Sequence, residues 1–453
     1  MQIYMKYMKP RLGKVSLACA EWCHRHLRVR CRILAVCVLT GLLAGAGAWI
    51  LKCLIRWVSV ALTSGLTEGG INWVLFVAPA LALPLAGRIQ RSLFHRDVSR
   101  GTEKLKRDLK AKDYDLPHQL AYQPVLGCAV TVGMGGSAGA EGPIAYAGAA
   151  IGSNAAKFFR LPPGFTRLML GFGAAAGIAA IFKAPLAGMF FTLEVLGMTL
   201  TTAPVLGLAT CCLIAAFTSY LLSGMTPDVV WQGAITTFDY SQFWWLPVIG
   251  LIMGLYCRWY RASGMFARAR WLRVSTPWKR ELAAGVFLGT LIVCMPTLFG
   301  EGYGALQKVL AGDLARLTDF SPLWADAGTW AVPVMLCGIL LFKGAAVYTT
   351  NNAGGVSGSF APTLFIGCMA GALMALGADA AGCSLPHSQI AYVCMAAAMA
   401  GIVRAPLMAT FITVEVTMTY SLLLPVCTVA FISYAVAALH IPRPRGRRHA
   451  PGS

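Results

Sequence analysis

The sequence predicts an all-α polytopic membrane protein built from two related halves. Composition, the spacing of apolar runs and an internal repeat carry that expectation. Of 453 residues, 57% are hydrophobic and 12% charged, where a soluble protein carries about 25% charged. The mean hydropathy is +0.65. Apolar runs recur at 33–54, 72–90, 169–198, 203–223, 244–257, 282–299, 330–347, 360–377, 389–403 and 405–438. Several reach the ~20 residues that cross a hydrocarbon core of ~30 Å as helix. Others are short or broken by Gly and Pro, and are expected to be tilted or half-spanning. The repeat relates Ala175–Val195 to Ala396–Val416. Both carry Ala-Pro-Leu (184–186 and 405–407) after a base (Lys183, Arg404), and both end in Glu-Val (Glu194-Val195, Glu415-Val416). About half of the paired positions are identical. Transport folds place their sites where such halves meet.

In chain order, residues 1–32 read as a basic cytosolic amphipathic helix, with Trp22, Leu27 and Val29 among His and Arg. Cys19, Cys23 and His24 lie on it, but a solvated or interfacial helix is the expected reading rather than a metal site. The basic stretch is long and the first apolar run has full membrane length, so no cleavable signal is expected. The first membrane half is 33–223, a polar linker covers 224–242, and the second half is 243–440, opened by Trp244 and Trp245 as interfacial anchors. Residues 441–453 form a basic cytosolic tail.

The net charge of +20 does not point to nucleic acid. Lys and Arg cluster at 6–32, 91–112, 258–280 and 443–448, between or beyond the apolar runs. That is the pattern of cytoplasmic loops. Run 33–54 then goes out and 72–90 returns, joined by Thr63–Gly70, which holds no Lys or Arg. Both termini are expected inside. With no soluble C-terminal domain evident, a prokaryotic inner membrane is expected. The fifteen cysteines sit mostly singly in apolar runs with no CxxC pair, so they read as small apolar residues. No metal or cofactor is expected. No HExxH, GxSxG or Asp pair in adjacent spans suggests an enzyme.

The repeat extends upstream. Aligned on Pro143 and Pro362, GAEGPIAYAGAAIGS (139–153) and GSFAPTLFIGCMAGA (358–372) share a Gly four residues before the Pro and a later Gly-xxx-Gly (Gly148/Gly152, Gly367/Gly371). Pro favours a helix start. Glycines ahead of it allow a tight bend. GMGGSAGAEGP (133–143) and NNAGGVSGSFAP (351–362) therefore read as loops feeding helices that begin at Pro143 and Pro362. Irregular backbone at membrane depth belongs where it is buried or lines a cavity, and free N–H groups at a helix start attract anions. Two facing starts would make an anion pathway without a fully charged cation. Deep in apolar sequence lie Glu141, Glu194 and Glu415. An intramembrane carboxylate is a functional candidate. Glu141 reads equally as a gate that competes with the anion or as an N-cap of its own helix. Glu194 and Glu415 read as structural, paired with Lys183, Arg404 or backbone donors.

These residues resemble the CLC family of chloride channels and proton-coupled chloride transporters. GAEGP (139–143) is similar to the family's GREGP, with Ala140 in place of Arg, and GSFAP (358–362) to its GxFxP. The Ala-Pro-Leu-Ala-Gly segment before Glu194 is also similar, and the likeness runs from about 33 to 440. The resemblance implies a homodimer in the bilayer, one pathway per subunit, and inverted halves of tilted, partial helices. It implies that Glu141 gates. It implies that amides around Phe360 and Ala361, with Gly139, Ala140, Gly142, Gly358 and Ser359, hold chloride or a similar anion.

Three departures stand out. The family's Gly-Ser-Gly-Ile-Pro is absent; DVSRGTEKLKRDL (97–109) offers only Ser99 and Thr102 as hydroxyls. Val195 stands where the coupled transporters have an inner proton-relay glutamate. The expected C-terminal tyrosine is missing, Tyr434 coming too early. The expected function is a passive chloride channel gated by Glu141, with voltage acting through the moving carboxylate and anion. The alternative is a proton-coupled chloride or fluoride antiporter with an atypical inner proton path.

Overall fold

A computed structural model describes residues 29–66, 72–111, 114–199, 202–226, 238, 243–319, 323–324, 328–383 and 385–439. The expected helix over 1–32 lies outside these residues up to position 28, as do most of the linker and the whole tail. Positions 29–32 instead open the first membrane helix.

Sixteen α-helices are found among the described residues. The first half holds α1 (Val29–Thr63), α2 (Val74–Ile89), α3 (Gly101–Ala111), α4 (Gln123–Gly133), α5 (Glu141–Phe158), α6 (Pro163–Phe182), α7 (Pro185–Phe190) and α8 (Thr202–Leu222). The second holds α9 (Trp245–Leu272), α10 (Pro277–Cys294), α11 (Tyr303–Leu310), α12 (Ala331–Asn352), α13 (Phe360–Ala380), α14 (His387–Val403), α15 (Pro406–Thr417) and α16 (Leu423–Ala438). Among the described residues, seven helical segments are long and apolar enough to cross a membrane. Pro185–Val195, His387–Val403 and Pro406–Thr417 are apolar but shorter, the half-spanning class that the broken runs implied.

Two predicted runs split. Run 169–198 breaks at Lys183, which takes φ 55° and ends α6. Run 405–438 breaks at Met418, φ 57°, which ends α15. In each case a left-handed residue stops the helix. Arg404, the counterpart of Lys183, has φ 64°, so the base before each Ala-Pro-Leu is a C-cap.

The halves have matching internal packing. In the first, α5 packs on α6 and α1 on α8; in the second, α13 packs on α14 and α9 on α16. The paired glycines explain the first contact. A Cβ on Gly148 would lie 2.2 Å from the Gly173 carbonyl oxygen, and one on Gly152 would lie 2.0 Å from that of Met169. On α13, a Cβ on Gly367 would lie 2.3 Å from the Cys394 oxygen, and one on Gly371 2.4 Å from Ala391 Cα. Helix association in lipid rests on such close backbone approach, because lipid tails are as apolar as side chains.

Two pairs of helices make the larger contacts between the halves. At one, α2 packs on α10, and the Arg91 guanidinium donates to both oxygens of Glu281, which is 1% exposed. At the other, α7 packs on α15. Phe190 and Phe411, equivalent in the repeat, stack there with centroids 4.8 Å apart.

Gly152→Ala tests the small-residue contact. Overpacking at such a site costs about 1–3 kcal/mol. The expected result is a clearly lower melting midpoint in detergent than for Gly164→Ala, whose added methyl meets nothing within 4 Å. Equal midpoints would refute the packing argument.

Candidate functional site

The two Gly-rich loops meet. Gly139 donates its N–H to the Gly358 carbonyl at 3.0 Å, and Gly358 donates to the Gly139 carbonyl at 2.6 Å. This isolated antiparallel bridge sets the starts of α5 and α13 against each other from opposite chain directions. No side chain fits: a Cβ on Gly358 would stand 2.6 Å from the Gly142 nitrogen.

Both helices begin two residues earlier than expected, at Glu141 and Phe360, so Pro143 and Pro362 stand third in the first turn. The first N–H groups of a helix have no internal acceptor, so a proline there costs no hydrogen bond. Glu141 thereby becomes the first helical residue, and it does not cap its own helix. Its Oε1 accepts the Ala361 N–H at 2.8 Å, at the start of the facing helix. The residue is 1% exposed, and its Oε2 has no hydrogen-bond partner.

The other two glutamates cross over in the same way. Glu415 accepts the Leu186 and Ala187 N–H groups at 3.0 and 2.9 Å, at the start of α7. Glu194 accepts those of Leu407 and Met408 at 3.1 and 2.8 Å, at the start of α15. Backbone donors are therefore their partners. Lys183 instead donates its ammonium to the Thr226 carbonyl.

Three further contributors meet the loops, of which Glu301 and Lys343 lay outside the sequence reading. Glu301, in the turn between α10 and α11, accepts the Ala140 N–H at 3.2 Å. Lys343, fully buried on α12, donates to Ser137 Oγ at 2.8 Å and lies 4.6 Å from the Phe365 ring centroid. The first Gly-rich loop thus has a lysine against it, which the sequence reading did not include. The start of α3 is the third. A Cβ on Gly101 would lie 2.3 Å from the Gly142 oxygen, and Thr102 Oγ1 lies 3.5 Å from a Cβ position on Gly142. Of the two candidate hydroxyls, Thr102 is the one at the loops. Ser99 gives its hydroxyl and its N–H to Asp97. Burial pushes the Asp97 carboxyl up, but those bonds and Lys104 outweigh it and hold the group below its usual range. Glu301 carried a faint signal, a single acid between two glycines just after an apolar run; a lysine in a long apolar run was a plainer one.

Val195 is 6% exposed in the apolar core. Tyr434 lies part-buried on α16, and no contact described here brings it to the loops. Beside Ser99 and Gly354 a cavity of about 610 Å³ opens, lined also by Arg91, Arg96, Arg100 and Arg280.

Facing helix starts with carboxylates on their amides, inside a multi-pass bundle, define an anion-transport protein of the membrane. The chain belongs to the voltage gated chloride channel family, whose model matches residues 81–438. It is 28% identical to the voltage-gated ClC-type chloride channel ClcB of Salmonella typhi over 423 residues, covering 88% of this chain and 95% of that protein. It is 29% identical to the ClcB of Escherichia coli O81 (strain ED1a), over 67% of this chain and 70% of that one. The fold matches a slow cyanobacterial Cl⁻/H⁺ antiporter with a TM-score of 0.74, 22% identity and coverage of 90% of this chain and 94% of that one. It also matches a CLC-type fluoride/proton antiporter with a TM-score of 0.72, 21% identity and coverage of 89% and 95%.

Glu415→Ala would leave the Leu186 and Ala187 amides without their acceptor, at ~1–3 kcal/mol per buried group. A lower melting midpoint is expected, with the pH response of anion flux unchanged. A changed pH response at undiminished stability would show that Glu415 is more than a latch.

Proposed function

We propose that this protein is a passive chloride channel gated by Glu141. The observation that carries the reading is the Glu141 carboxylate on the Ala361 N–H at 2.8 Å. A carboxylate there stands where a permeating anion would be attracted. Ionised, it competes with chloride; protonated, it loses the charge that holds it. A charge-assisted bond is worth about 1.5–3 kcal/mol, roughly ten- to hundredfold in occupancy.

Passive permeation is favoured over exchange by Val195, an apolar residue at the position where proton-coupled relatives would need an acid. The arginine-lined cavity suits the approach of anions from the cytoplasmic side. Of Ser99 and Thr102, Thr102 is the hydroxyl at the loops, and it would take the place of the missing serine motif. The assembly we infer is a homodimer with one pathway per subunit, in a bacterial inner membrane with both termini inside.

Proton-coupled exchange of chloride or fluoride is the second reading. It draws on the fold shared with two antiporters and on the absence of the serine motif. Proteoliposomes loaded with chloride or fluoride and followed with a pH electrode separate the two. A channel passes anion with no uphill proton movement, whereas a fixed proton-to-anion ratio would establish exchange. Flux through the wild type should rise roughly tenfold or more on acidification, following the occupancy estimate above. Flux through Glu141→Ala should not depend on pH. Retained pH gating in that variant would overturn the role given to Glu141.

A further inference from the structure

Glu301 completes a pattern that the repeat alone does not supply. The starts of α7, α13 and α15 each hold a carboxylate from the opposite half, and Glu301 gives α5 the same. Its setting differs from that of the two latches. It sits between Gly300 (φ 62°) and Gly302 (φ 87°), left-handed positions that glycine takes without strain. Phe299 packs on Gly135, and Gly302 packs on the Phe365 ring of α13. The segment 299–303 therefore straps from the first Gly-rich loop to the first turns of α13. Following α10 away from the basic cluster at 258–280 puts this strap on the outer side. Ala140, which holds Glu301, directly precedes Glu141, so the two carboxylates belong to neighbouring positions of the same helix start.

We propose that Glu301 is a positioning acid for the gate: seated on the Ala140 amide, it sets the external pH at which Glu141 leaves the Ala361 amide. The proposal rests on the reading of Glu141 given above. Like charges at short range repel, so ionised Glu301 weakens the hold of ionised Glu141 on its seat. The other groups facing the strap are the Cys128 thiol on α4, which lies in the field of both carboxylates, and the Tyr303 phenol two residues on. The Lys343 amino group reaches the same region through Ser137 and Phe365.

The test is chloride efflux from proteoliposomes holding the full chain, with the external pH stepped, for the wild type, Glu301→Gln, Glu301→Asp and Glu141→Gln. Removing the charge at Glu301 should keep Glu141 seated to lower pH. The Glu301→Gln flux curve should move to more acidic external pH by about half to one unit, so that flux at the wild-type midpoint falls roughly two- to fivefold. Glu301→Asp keeps a charge and should lie nearer the wild type. In the Glu141→Gln background the Gln substitution should leave a flat profile flat. A Glu301→Gln midpoint equal to that of the wild type, with Glu141→Gln pH-insensitive, would overturn this inference alone and leave the gate in place. A cap that acts only on folding would lower the melting midpoint and the flux amplitude of both Glu301 variants without moving the pH midpoint, which also overturns it. If Glu141→Gln keeps the wild-type pH response, the reading of the gate falls, and this inference with it.

Discussion

Among the described residues, the starts of four helices (α5, α7, α13 and α15) are met by carboxylates from the opposite half, and the arrangement around the Gly-rich loops follows from what their free N–H groups require. A buried amide without an acceptor is costly, and the hydrocarbon around the bundle supplies none. The chain meets the requirement with side chains rather than solvent. Glu141 serves α13, Glu194 serves α15, Glu415 serves α7 and Glu301 serves α5. Each carboxylate comes from the half opposite to the helix it serves. The same bonds that satisfy the helix starts therefore fasten the halves together, and they put negative charge where the helix dipoles favour it.

The glutamates are not equivalent, and the hydrogen bonds say why. Glu194 and Glu415 each engage two amides, one per oxygen. Glu141 engages one, and its second oxygen is buried without a partner. A carboxylate with both oxygens bonded is a latch. One with a free oxygen in a buried site is less firmly seated, which a group that must yield to an anion requires. The neighbouring bridge between Gly139 and Gly358 is made of backbone alone, so it does not depend on that side chain.

The repeat made much of this legible in the sequence. The paired Ala-Pro-Leu segments, the Gly-xxx-Gly helices and the half-length spans came from local pattern, and local pattern is what helix packing in lipid uses. The partners of Glu194 and Glu415 were foreseen only as Lys183, Arg404 or backbone donors in general, because a crossing bond joins residues more than 200 positions apart. The helix starts were placed two residues late, because a proline marks the first turn and not its first residue. Glu301 and Lys343 were missed for a different reason. Neither belongs to a repeated motif, and only the tertiary fold brings Glu301 to Ala140 and Lys343 to Ser137.

The same bookkeeping of buried acids bears on whether protons could cross. Among the described residues, the glutamates buried to the level of Glu141 are Glu281 and Glu415. Glu281 is held by both arms of the Arg91 guanidinium, and Glu415 by two amides. Breaking either arrangement would strand a buried charge or two amides, so neither is free to load and unload a proton cheaply. Val195 lies in apolar packing where a carboxylate would itself need partners. A relay from Glu141 to the inner face would therefore have to run through water or through hydroxyls such as Thr102. The anion site proposed at the facing starts of α5 and α13, by contrast, needs only the amide that a single Glu141 oxygen now holds. That imbalance between what the interior offers an anion and what it offers a proton is the physical ground for reading the pathway as a channel.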